Sequence, residues 1–75
     1  MLILTQDRRT LVNLDNVVML CKFDSNEDGE IEYYAYANNH SESLGFYKDT
    51  PEHENQLERI AQCIGAASVY KMPEE

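Results

Sequence analysis

The sequence predicts an α+β chain: an antiparallel meander of about four to five strands, with one C-terminal helix packed on one face. Three observations carry this. Between residues 2 and 48, short apolar and β-branched runs alternate with clusters of Asp, Asn, Ser and Gly, the pattern of strands and turns. After Thr50 the apolar period changes from two to that of a helix. Leu57, Ile60, Ala61, Ile64 and Ala67 share one face, and Glu58, Arg59 and Gln62 take the other. Third, the length of 75 residues, 43% of them apolar, bounds the chain to a single domain, 1–75. A chain this short buries only about 60% of the surface its unfolded form exposes.

Taken in order, Leu2 to Thr5 is a short strand that ends at the Gln6-Asp7-Arg8-Arg9 turn. Strand character resumes at Thr10 to Asn13 and breaks at Leu14-Asp15-Asn16, since Asp and Asn bond their own backbone. Val17 to Phe23 is a strand, and the polar run that follows ends in Asp28-Gly29, a turn dipeptide. In the strand from Glu30 to Ala37, alternation puts Ile31, Tyr33, Ala35 and Ala37 on one face. Glu32, Tyr34, Tyr36 and Asn38 fall on the other. A loop over 38–43 leads to a short strand, Leu44 to Lys48. Thr50 then caps a helix over about 51–67, with Pro51 in its first turn and Gly65 weakening its interior. Residues 69–75 form an extended tail with a frayed acidic end.

Fourteen Asp and Glu against six Lys and Arg give a net charge of −8. Such a surface is repelled by nucleic acid and by anionic membranes, so neither is an expected direct partner. Cys21 and Cys63 are too few for a disulfide scaffold and read as buried free thiols. The N-terminal run is neither a signal peptide nor a membrane span, which predicts an intracellular location.

One stretch is motif-like. In Phe23 to Ala35, the residues Asp24, Asn26 and Asp28 match positions 1, 3 and 5 of a calcium-binding EF-hand loop, Gly29 matches position 6, and the Glu30 carbonyl is a further ligand. Position 12 is Ala35, however, where calcium needs a bidentate Glu. The flanks, Val17 to Cys21 and Tyr33 to Tyr36, have strand composition, and there is no second loop. The stretch is therefore read as an acidic hairpin tip, with the metal set Asp24, Asn26, Asp28 and Glu30 as the alternative. His40 and His53 have no partner at metal or catalytic spacing, and so short a chain has little room for a deep pocket. No catalytic residue and no cofactor is assigned, and the chain is expected not to be an enzyme.

The five tyrosines supply the interaction candidates, because tyrosine gives large contact area at low entropy cost. Glu27, Asp28, Glu30, Glu32, Tyr34 and Tyr36 form the expected partner-binding set, aimed at a protein with a basic surface. An uncovered aromatic sheet face with open edges also predicts homo-oligomers. A second reading is an oligomeric sponge for a nucleotide-type ligand, with Arg8 and Arg9 at the subunit interface.

Leu11 to Val17, Leu44-Gly-Phe-Tyr-Lys48, the helix and Val69-Tyr-Lys-Met-Pro-Glu-Glu75 resemble a loose group of small acidic proteins of Gram-positive phages, prophages and mobile elements. This chain departs from the group in its longer acidic loop, Asp24 to Glu30. The resemblance carries over no functional residue. It implies a context: an accessory protein in the cytoplasm of a bacterial host that binds, and blocks, a host factor such as a defence protein.

Overall fold

A computed structural model describes residues 1–25 and 29–75. The elements in order are β1 (Leu2–Leu4), β2 (Leu11–Asn13), a 3-10 turn (Leu14–Asn16), β3 (Met19–Ser25), β4 (Glu30–Tyr36), β5 (Ser41–Lys48), α1 (Gln56–Cys63) and β6 (Val69–Lys71). The α+β class is as expected, but the strands do not form one meander. They divide into two three-stranded sheets, ordered β2-β1-β6 and β3-β4-β5. The second is the antiparallel meander. In the first, β1 pairs antiparallel with β2 and parallel with β6. The residues read as an extended tail thus supply a strand and pair with the first one.

The inner faces of both sheets and the helix meet in one core: Ile3, Ile31, Tyr33, Ala35, Leu44, Tyr47, Ile60 and Met72. In β4 the alternation holds, with Ile31, Tyr33 and Ala35 buried. In β5 it slips by one residue. The register passes from Tyr33↔Gly45 to Tyr34↔Ser43, so Leu44 is an extra residue and both Leu44 and Gly45 are buried. A Cβ on Gly45 would lie 2.7 Å from the Cζ of Tyr47, so only glycine leaves room for that ring.

The helix is shorter than the periodicity predicts. Thr50 caps no helix. Its carbonyl accepts from the His53 amide at 2.9 Å and its hydroxyl lies 3.0 Å from His53 Nδ1, while residues 51–55 form turns. At the other end Gly65 is a stop rather than an interior weakness: it takes φ +83°, the left-handed geometry that follows a helix C-terminus. Ala66 and Ala67 then donate to the Cys63 carbonyl. Of the expected apolar face, Ile60 is buried and Leu57 half-buried, whereas Ala61, Ile64 and Ala67 are exposed.

Nor is the acidic end frayed. Met72 is fully buried, and the Tyr47 hydroxyl donates to Pro73 O at 2.6 Å. Gln6 Nε2 donates to Glu74 O at 3.2 Å, and the Arg8 guanidinium donates to Met72 O at 2.7 Å and pairs with the Glu74 carboxylate at 3.4 Å. His53 Nε2 lies 2.6 Å from Glu75 O. That oxygen can only accept, so Nε2 donates to it, while Nδ1 lies within reach of both the Thr50 hydroxyl at 3.0 Å and Lys48 O at 3.2 Å.

Three tyrosines bridge these parts. Tyr33, wholly buried, donates to His53 O at 2.5 Å and accepts from the Gln56 amide at 3.3 Å. Tyr70 donates to Gln56 Oε1, and the Tyr47 ring stacks on His53 at 4.8 Å. Desolvation raises the phenol pKa of all three above 10.0. The fold therefore favours the neutral phenols. Their contribution to stability is fully present below the unfolded phenol value and is lost as pH rises from there through the folded values. Alkaline unfolding monitored by circular dichroism is expected to set in above pH 10.0, with stability falling by up to about 1.4 kcal/mol per pH unit for each tyrosine that ionises only when unfolded.

Candidate functional site

The outer face of the meander is where most of the predicted contact residues come together. Strand alternation and register build it row by row. Phe23, Glu32 and Phe46 lie in one row across β3, β4 and β5. Cys21, Tyr34 and Ser43 form the next, followed by Met19, Tyr36 and Ser41. At the other end Glu30 lies opposite Lys48. Among the described residues no helix or strand covers this face. Met19, Phe23 and Phe46 are each about half exposed, at 51%, 50% and 50%. The rings form a connected series: Phe23 meets Tyr34 edge to face at 5.5 Å, and Tyr34 meets Tyr36 at 6.1 Å.

Glu32 is the distinctive member. Its carboxylate accepts from the Ser43 hydroxyl at 2.9 Å and stands between two phenylalanines in register. Among the described residues it has no ion-pair partner. The same carboxylate, together with partial burial, raises the Tyr34 phenol pKa, so Tyr34 stays a neutral donor. An anionic oxygen framed by aromatic surface suits a Lys or Arg side chain, whose stem packs on the rings while its head meets the charge.

The structure places the predicted residues as follows. Glu30, Glu32, Tyr34 and Tyr36 share the β4 strand and its outer face. Glu27 and Asp28 lie outside the described residues. The sequence does not single out Phe23, Met19 and Phe46 as contacts, because an apolar residue in a strand run reads equally as core. Only the pairing register reveals that they project outward. Cys21 is half-buried on this face rather than in the core, and Cys63 is half-buried on the helix.

Of the calcium alternative, Asp24 is on β3, paired with Lys22 at 3.8 Å, and Glu30 begins β4. Asn26 and Asp28 lie outside the described residues. The flanks are the strands β3 and β4, joined as a hairpin whose last pair is Ser25↔Glu30, with Gly29 at φ +62°. An EF-hand loop is instead flanked by helices. Among the described residues no cluster of His, Cys, Asp and Glu could hold a metal ion. Arg8 and Arg9 sit in the β1–β2 turn. Arg8 takes φ 64° and is bonded to Thr5 O, Met72 O and Glu74, while Arg9 is exposed. His40 is exposed in the β4–β5 loop, and His53 is buried against the tail.

Among the described residues no helix is long and apolar enough to cross a membrane. No protein-family model, no curated protein and no solved structure matches the chain.

Proposed function

We propose that this chain is a non-enzymatic binding protein that docks a basic protein surface on the outer face of its β3-β4-β5 sheet. The observation that carries the reading is the row Phe23, Glu32, Phe46: two half-exposed phenylalanines flanking a carboxylate that has no ion-pair partner among the described residues. Tyr34 and Tyr36 extend that row into an aromatic surface, and Glu30 adds charge at its end. Interface centres are enriched in such aromatics, and an acidic rim speeds encounter with a basic target. With the resemblance of the sequence, the partner is a host factor and the chain an accessory protein of a phage or mobile element. Binding alone would block the target.

The test is a host protein captured by the chain and its affinity measured by calorimetry. Charge reversal at Glu30 and Glu32, or Phe23→Ser, is expected to weaken binding at least about tenfold, or ~1.4 kcal/mol. Leu11→Ser, on the exposed face of the other sheet, is expected to leave it unchanged. Equal affinity in all four proteins would refute the assignment of this face.

A further inference from the structure

The edges of the two sheets are not equivalent. The outer edge of β5 is capped at Leu44 and Phe46. Gln6 donates its amide to Leu44 O at 2.8 Å, accepts from the Phe46 amide through Oε1 at 2.8 Å, and donates Nε2 to Phe46 O at 3.0 Å. The main chain and carboxamide of this one residue thus occupy the middle of that edge. The outer edges of β2 and β6 are only three residues long. By contrast β3 runs for seven residues, and among the described residues no main-chain hydrogen bond reaches its outer edge. Long unpaired edges are templates for another strand.

The hydrogen-bond phase of the sheet identifies which groups of β3 face outward. Phe46 turns its N–H and C=O to Gln6, so Glu32 opposite it must turn its own toward β3 and bond to Phe23. It follows by alternation that Lys22 and Asp24 present their N–H and C=O groups along the open edge.

We propose that β3 pairs antiparallel with β3 of a second copy of this chain, centred on Phe23. In that register Phe23 faces its counterpart as a non-hydrogen-bonded pair, and Lys22 lies opposite Asp24 of the other copy on both sides. Both charge pairs are complementary and both fall where the free backbone groups exchange hydrogen bonds. Sliding the centre by two residues to Cys21 keeps the hydrogen-bond phase but sets Lys22 against a leucine, Leu20. Centring on Lys22 opposes like charges and is out of phase. The net charge of −8 on each copy resists association in general, yet this edge carries one Lys and one Asp and is locally neutral. Two-fold pairing uses the same open edge, β3, of each copy, so the assembly closes as a dimer rather than growing into a fibre. The result is a continuous six-stranded sheet whose two outer aromatic faces lie on the same side. The pairing does not depend on the docking partner proposed above.

Light scattering across a range of protein concentrations tests this. The mass is expected to rise to twice the 8.7 kDa of the chain. Lys22→Asp is expected to return it to the single-chain value, and Lys22→Asp with Asp24→Lys to restore the dimer. Since Lys22 Nζ also reaches Glu54 O at 3.4 Å, a second route avoids that residue. In a Cys21→Ser, Cys63→Ser background, Phe23→Cys is expected to oxidise to a disulfide-linked dimer, because non-hydrogen-bonded pairs sit within disulfide reach. A single-chain mass at every concentration would overturn the proposal. So would a dimer indifferent to Lys22→Asp, or native Cys21 cross-linking where Phe23→Cys does not.

Discussion

Deleting Met72 to Glu75 is expected to unfold the chain. Truncating a buried methionine to alanine alone costs about 2–5 kcal/mol, and Met72 is wholly buried. The deletion also removes the acceptors of the Tyr47 hydroxyl and of His53 Nε2. A buried donor left without a partner costs about 1–3 kcal/mol. The sum rivals the whole stability of a chain of 75 residues, roughly 4–11 kcal/mol at typical values per residue. Urea titration read by circular dichroism checks it. Met72→Ala is expected to lower the midpoint, deletion of Pro73 to Glu75 to lower it less than the full deletion, and the full deletion to show no folded baseline. A cooperative transition at the wild-type midpoint in the truncated chain would show that the tail contributes nothing.

The second large effect is expected at Tyr33. Replacing a buried aromatic ring by alanine costs about 3–5 kcal/mol, so Tyr33→Ala should be unfolded or nearly so. Tyr33→Phe keeps the ring and its edge-on contact with Tyr47 at 6.2 Å but removes the hydroxyl that joins His53 O to the Gln56 amide. The two orphaned groups make this change cost about 1–3 kcal/mol. If Tyr33→Phe matched the wild type in denaturant, the hydroxyl bridge between sheet and helix would have no energetic role.

Much of the meander was legible in the sequence because its information is local. Period-two alternation alone separated Ile31, Tyr33 and Ala35 from Glu32, Tyr34 and Tyr36. Gly29 marked the hairpin, and the β composition of its flanks argued against a helical metal loop. What escaped was carried by distant contacts. Nothing near Val69 signals that it pairs with Leu2, and nothing in Pro73 signals that its carbonyl meets Tyr47. The helix was overextended at both ends for related reasons. Thr50-Pro51 is a helix start by local rule, yet His53 engages Thr50 and the chain turns until Gln56. By the apolar period Gly65 is an interior residue, because Ala67 continues that period beyond it. The candidate face was half legible: Tyr34, Tyr36 and Glu32 followed from alternation, whereas Phe23 and Phe46 needed the register. The bulge at Leu44 makes that register hard to foresee, since alternation counted across it changes face.

The parallel pairing of Leu2–Leu4 with Val69–Lys71 also bears on how the chain acquires its structure. The meander closes through short connections, all within residues 19–48. The first sheet, in contrast, requires the two remote ends of the sequence to meet, and its loop-closure entropy must be met before that contact gives anything back. During synthesis at about 5–20 residues per second, β1 emerges first yet waits for nearly the entire remainder of the chain before its parallel neighbour exists. Because Ile60 and Met72 complete the core on which the meander rests, the open edge of β3 and its aromatic face are secured only when the last residues arrive.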